Sequence, residues 1–217
     1  MEDSYRHIGL RRQLVLSLKK QGISNTKVLH AMAKVPRHYF MDSAFVEHAY
    51  QDKPFSIGEG QTISQPYTVA FQTELLEVSD NDKILEIGTG SGYQASILIA
   101  MGANLFTIER HRTLHLKAKR VLQYLKYNCQ MILGDGTYGY EAEAPYNKII
   151  VTAGAPSIPN HLVEQLVIGG ILVIPVGNDS RQKMLKITKV GKRQIKKEEH
   201  GTFSFVKLIG RDGWKSD

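Results

Sequence analysis

Lys83-Ile84-Leu85-Glu86-Ile87-Gly88-Thr89-Gly90-Ser91-Gly92-Tyr93 decides the fold. It reads as a buried strand that ends on an acidic residue and breaks into three alternate glycines. A helical pattern from Tyr93 to Met101 follows. Glycine lets a chain turn sharply and lie close to a ligand, and the amides of a following helix point at that ligand. A dinucleotide fingerprint, G-x-G-x-x-G, needs a third glycine where Tyr93 stands. The pattern present is acidic-x-G-x-G-x-G, which a purely structural strand-to-helix turn could also produce.

Two further acids extend the pattern. Ala103 to Glu109 is a second apolar strand closed by a carboxylate, and Glu109 lies 21 residues after Gly88. An acid there meets a ribose in doubly wound folds, because a carboxylate accepts from both hydroxyls at once. Gln130 to Leu133 is a third short strand, followed by Gly134-Asp135-Gly136. Asp135 is expected to accept from an adenine amino group. Open parallel sheets bind ligands at the carboxyl ends of their strands. The glycine loop resembles the cofactor loop of S-adenosylmethionine-dependent methyltransferases.

Composition agrees with one α/β domain. The 217 residues are 42% hydrophobic, enough for a sizeable core. No apolar run approaches the ~20 residues of a membrane span. The start, Met1 to Arg6, lacks a signal peptide's apolar stretch, and the single Cys129 rules out an internal disulfide framework. A cytoplasmic location is expected. Cys129 reads as a small core residue. The net charge of +7 comes from the last 37 residues, which hold 11 basic and 4 acidic side chains. There Lys183 to Val190 alternates like a half-exposed strand, with lysines suited to guarding a sheet edge.

Leu10 to Lys20 and Thr26 to Ala33 read as amphipathic helices, and Pro36 closes that unit. Residues 41–65 read as a long irregular segment of the kind that is usually functional. Pro66 opens a helix to about Glu77. From Lys83 strands and helices alternate: Arg112 to Leu125 helical, Asn147 to Ala153 a fourth strand, Ile158 to Leu166 helical, Ile171 to Val176 a strand. Lys183 to Val190 is expected to pair antiparallel with Thr202 to Leu208. The expected fold is a doubly wound, mostly parallel seven-stranded sheet of Rossmann-like type with an N-terminal helical extension. A single domain over 1–217 is expected, with helices and substrate loop in 1–80 and the cofactor core in 81–217.

Gly60-Gln61-Thr62-Ile63-Ser64-Gln65-Pro66-Tyr67, ahead of the glycine loop, resembles the protein-L-isoaspartate O-methyltransferase family. So do Val35-Pro36-Arg37, Ala49 to Pro54, Ala144-Pro145-Tyr146, Val151-Thr152-Ala153 and Gln165 to Gly170, in the family's order. The resemblance implies methyl transfer from S-adenosylmethionine to the free α-carboxylate of L-isoaspartyl residues in damaged proteins. It implies cofactor binding by Glu86, Gly88, Thr89, Gly90, Ser91, Gly92, Glu109, Asp135 and Gly136, and no metal. Substrate binding falls to Gln61, Thr62, Ser64 and Gln65. Ser64 is the expected catalytic residue, orienting the acceptor, although its place before the Pro66 helix also suits a simple helix cap.

A carboxylate is ionised at neutral pH and needs no general base. It needs in-line placement and a dry site. His111 and His115 share a helix face but lack a third metal ligand, and read as surface residues. The competing reading is a methyltransferase acting on RNA or another non-protein acceptor. The run after the fourth strand, Thr152-Ala153-Gly154-Ala155-Pro156, lacks the Asp/Asn-Pro-Pro-aromatic pattern of amine methylation. No nucleic-acid partner is expected, and the chain is expected to be a monomer. Departures from the family pattern include Asn147 for aspartate and Lys207 for proline.

Overall fold

The structure is a computed structural model and describes residues 2–215. Its centre is a seven-stranded sheet in the order β5-β4-β3-β6-β7-β8-β9. These strands are β3 (Lys83–Ile87), β4 (Asn104–Glu109), β5 (Gln130–Leu133), β6 (Tyr146–Val151), β7 (Leu166–Gly177), β8 (Gln182–Gly191) and β9 (Gln194–Phe203). β5 through β7 run parallel, while β8 and β9 are antiparallel additions. The chain leaves β3 towards β4 and β5, then returns to place β6 on the other side. The carboxyl end of β3 is therefore the topological switch point where such sheets open a crevice.

Alternation along the strands splits the core. Ile84, Leu105, Ile150 and Val173 face one layer, together with Leu14 and Leu18 of α1 (Tyr5–Lys20) and Val28 and Met32 of α2 (Thr26–Lys34). Val69 and Leu76 of α3 (Pro66–Leu76), Ile97 and Leu98 of α4 (Tyr93–Ala100) and Leu122 of α5 (Arg112–Tyr124) share that layer. Leu85, Ile87, Ile108 and Val151 face the other, covered by Leu162 of α6 (Asn160–Glu164).

Several expectations need correction. α1 begins at Tyr5, because Ser4 and His7 form a reciprocal cap upstream of the apolar pattern. Residues 41–65 are not wholly irregular. They hold a 3-10 turn at Ser43–His48 and a hairpin of β1 (Phe55–Gly58) and β2 (Gln61–Ile63). Glu59 and Gly60 both have positive φ at its tip, as a tight two-residue turn requires. α6 is only five residues long, and β7 starts at Leu166, well before Ile171. β8 pairs with Gln194–Phe203 rather than Thr202 to Leu208. β9 is an edge strand and mostly exposed on both faces, so it shows no apolar alternation. The lysines of β8 thus guard no edge. Lys189 is buried and donates to the carbonyls of Glu164 and Leu166, both at 2.7 Å.

Candidate active site

The switch-point cavity is walled by the glycine loop and the ends of β3, β4 and β6, with Gln61, Thr62, Ile63 and Ser64 opposite. Val206 to Ile209 form its roof. That segment, expected to be a strand, instead crosses the carboxyl edge of the sheet. The Gly154 amide donates to the Val206 carbonyl and the Leu208 amide to the Gly154 carbonyl, each at 2.8 Å.

Of the expected cofactor-binding residues, Gly88, Thr89, Gly90, Ser91, Glu109 and Gly136 line this cavity. Gly88 (φ 96°) presses on Thr152, whose hydroxyl donates to the Gly88 carbonyl at 2.6 Å. A Cβ at Gly88 would lie 2.5 Å from that hydroxyl oxygen, so β6 clasps the loop only against glycine. One carboxylate oxygen of Glu109 accepts from the Gly90 amide and the other from the His111 amide, both at 2.8 Å. The acid therefore fixes the loop and keeps lone pairs for a ligand.

Three expected cofactor residues do not line the cavity. Glu86 is the penultimate residue of β3, so the pleat turns its side chain into the helix-packed layer while Ile87 reaches the cavity. It is fully buried, and desolvation pushes its carboxyl up to about 8 against the hydrogen bond from the Thr107 hydroxyl, with Glu109 adding to the rise. Thr107 donates to it at 2.6 Å and is itself 2.6 Å from the Thr89 hydroxyl. Glu86 thus braces the loop from behind. Gly92 (φ 88°) starts α4 and leaves space that α5 fills, its absent Cβ lying 3.4 Å from Leu122. Asp135 is engaged by the Thr137 amide and hydroxyl and by the Arg211 amide. Burial pushes its pKa up, but those donors outweigh it and hold the carboxyl below its ordinary range.

A second cavity adjoins the first, lined among others by Pro54, Gln65, Arg181, Phe203 and Phe205. Thr62, Ser64, Thr152 and Val206 belong to both linings. Ser64 does not cap α3. The N-cap position is Gln65 and makes no side-chain cap, while the Tyr67 amide donates to Asp52 at 2.8 Å. Asp52 also accepts from the Gln65 side chain at 3.1 Å. Among the described residues the Ser64 hydroxyl has no protein partner.

Asp52, Gln94 and His111 were not read as site residues. Asp52 caps a helix from 15 residues upstream, which no local pattern reveals. Gln94 lines the first cavity and is anchored there by its donation to the Thr73 hydroxyl at 2.9 Å. His111 precedes α5 and also lines the cavity, with Glu59 at 3.9 Å. Asp3, His7 and His38 bring ligand-type atoms together, but the two imidazoles stack at 3.9 Å and 17°. Lone pairs in two near-parallel ring planes do not converge on one ion. Replacing Asp52 with alanine is expected to cost about 1–2 kcal/mol of unfolding free energy, as for other lost helix caps. Urea titration measures it, and a change below 0.3 kcal/mol, about the scatter of such data, would sink this role.

The sheet order and the acidic, glycine-lined switch point define a Rossmann-like fold of the S-adenosylmethionine-dependent methyltransferase class. Residues 10–213 match the family model described as protein-L-isoaspartate(D-aspartate) O-methyltransferase. The chain belongs to that family. A Cytophaga hutchinsonii protein-L-isoaspartate O-methyltransferase is 58% identical, the match covering 100% of this chain and 98% of the relative. One from Christiangramia forsetii is 54% identical over 96% and 98%. A solved protein-L-isoaspartate O-methyltransferase superposes with a TM-score of 0.85 at 28% identity, covering 94% of this chain and 67% of that one. A Plasmodium falciparum structure described as the same enzyme, in complex with S-adenosyl-L-homocysteine, gives 0.80 at 26%, covering 92% and 98%.

Proposed function

We propose that this chain methylates the free α-carboxylate of L-isoaspartyl residues in damaged proteins and peptides, with Ser64 orienting the acceptor. The observation that carries the assignment is the wall shared by the two cavities. Thr62, Ser64, Thr152 and Val206 border both, so a donor in one and an acceptor in the other meet there.

The first cavity suits S-adenosylmethionine. Its glycines admit a ligand against the backbone, and Glu109 offers acceptors to vicinal hydroxyls. Gln94 adds a side-chain carbonyl beside them. The cofactor supplies a methyl group on a cationic sulfur, and transfer to a carboxylate leaves a neutral thioether and a neutral methyl ester. No proton moves, so the residues have only to bind, orient and exclude water. Ser64 can donate to one oxygen of the acceptor and leave the other free for transfer. Gln61, Thr62 and Gln65 hold its loop, Gln65 through Asp52. Ile63 and Val206 exclude water, which favours a reaction that neutralises two charges. The released ester cyclises to a succinimide, which reopens partly to ordinary aspartate.

The proposed form is one domain acting as a cytoplasmic monomer, with no nucleic-acid partner. The layer shared by α1, α2 and the sheet supports a single domain. Lys196, Lys197, Glu198 and Glu199 on the edge strand discourage pairing through it and so support a monomer. Need for S-adenosylmethionine supports the cytoplasm. Among the described residues no helix is long and apolar enough to cross a membrane.

The test is transfer of labelled methyl to matched peptides with L-isoaspartate or aspartate at one position. Base-labile label is expected on the isoaspartyl peptide alone. Ser64→Ala should lower kcat/KM by about 10- to 100-fold, one hydrogen bond to a charged group, with S-adenosylhomocysteine binding retained. Equal labelling of both peptides would refute the acceptor, and an unchanged rate in the variant would refute Ser64. Labelling of RNA instead would move the activity to the competing acceptor.

A further inference from the structure

The second cavity continues past Ser64 to the turn between β7 and β8. Its lining is rich in hydroxyls, with Thr62, Ser64, Thr68, Ser180, Thr202 and Ser204 among them, and two aromatic rings, Phe203 and Phe205, complete one side. Among the described residues of that lining only Arg181 is charged. A groove of neutral acceptors and donors binds a peptide backbone without regard to its charges. One guanidinium at its end removes that indifference.

Arg181 is held in place by its backbone. The Asn178 side chain accepts from the Arg181 amide at 2.8 Å and from the Ser180 amide and hydroxyl at 3.1 and 3.0 Å. Gln182 ties the turn down, donating to the Asn178 carbonyl and accepting from the Phe205 amide at 2.9 Å. Gln182 is buried and packs against Gly154, where a Cβ would lie 2.8 Å from its amide carbon. The turn is thus pinned to both the sheet edge and the opposite wall of the groove. The guanidinium, by contrast, is exposed and takes part in none of the ion pairs among the described residues. Its charge is uncompensated where a bound peptide would leave the catalytic end.

We propose that Arg181 sets flanking-sequence specificity, selecting isoaspartyl sites that carry an aspartate or glutamate beside them over sites flanked by lysine or arginine. This rests on the assignment of the second cavity to the isoaspartyl acceptor. A planar guanidinium pairs with a carboxylate through two parallel hydrogen bonds and repels an ammonium, so discrimination has an attractive and a repulsive part. Partly exposed charges of this kind act strongly on encounter and weaken with salt.

The experiment compares kcat/KM for isoaspartyl peptides identical except for Glu, Ala or Lys, placed in turn on either side of the isoaspartate. The unmodified chain should prefer Glu over Lys by about tenfold at low ionic strength, on one side of the isoaspartate. The preference should shrink in 0.5 M salt, where the Debye length falls to about 4 Å. It should approach unity in Arg181→Ala and reverse in Arg181→Glu. Ratios between peptides within one variant are insensitive to how much of it folds. Equal ratios in all three chains would overturn the role of Arg181. Absence of methylation on every isoaspartyl peptide would instead defeat the assignment of the acceptor.

Discussion

Replacing Glu109 with glutamine is expected to weaken S-adenosylhomocysteine binding by about a hundredfold, the equivalent of roughly 3 kcal/mol. The size follows from what the two oxygens already do. Each accepts a backbone amide at 2.8 Å, from Gly90 in the glycine loop and from His111 at the start of α5. Glutamine has one acceptor oxygen, so its amide nitrogen must face a second N–H across the same distance. Either the loop or the start of α5 gives way, and the proposed ribose acceptor loses its charge as well. Titration calorimetry with S-adenosylhomocysteine measures the loss, and thermal melting separates it from unfolding. Glu109→Asp should recover only part of the affinity, because a shorter side chain keeps the charge but cannot reach both amides. An affinity within threefold of the parent in Glu109→Gln would refute the assignment.

Glu86→Gln is expected to stabilise the fold, increasingly so as the pH rises. Glu86 is fully buried, and desolvation first, then the charge of Glu109, push its carboxyl from 4.5 up to about 8, against the Thr107 hydrogen bond. In the unfolded chain it ionises near its ordinary value. Between those limits the native state holds a proton that the unfolded state has released, so stability falls as pH rises. Below about 4.5 both states are protonated, and above about 8 both are ionised, so the change is confined to that window. At about 1.4 kcal/mol per unit, the window spans on the order of 3–5 kcal/mol. Glutamine is neutral throughout and can still accept from Thr107. The variant should match the parent near pH 5 and exceed it by a few kcal/mol at pH 8, read from urea unfolding at both. A difference independent of pH would refute a buried, titrating Glu86.

The retention of an acid at so costly a place has a structural basis. The Thr107 hydroxyl lies 2.6 Å from both Glu86 and the Thr89 hydroxyl, so the three side chains form one buried chain of hydrogen bonds. The hydroxyl of Thr89 is thereby held within the loop. Glu86 is joined to the glycine loop through this chain of hydrogen bonds and does not itself line the cavity.

What was legible in the sequence was whatever is encoded locally. Three glycines on alternate positions can only be a backbone bend, since Gly88, Gly90 and Gly92 all take positive φ. Apolar runs closed by Glu109 and followed by Asp135 mark strand ends, and the β-α alternation fixes a parallel sheet. The segment Gly60 to Tyr67 carried the family through its particular residues. Local pattern failed where strands are short or exposed. β1 and β2 have four and three residues, and β9 lies at an edge with little to bury. Neither situation imposes a readable alternation.

The sequence by itself determined the fold class, the cofactor edge and the family, because each depends on residues adjacent along the chain. Only the tertiary structure decided which side chains reach that edge. A pleat of period two turned Glu86 inward while Glu109, the last residue of its strand, reached the cavity. Asp52, distant in sequence, took the helix cap that Ser64 was placed to fill, and so left the Ser64 hydroxyl to the wall between two cavities. A hydrogen bond needs position and direction in space, and those come from packing, not from the order of residues along the chain.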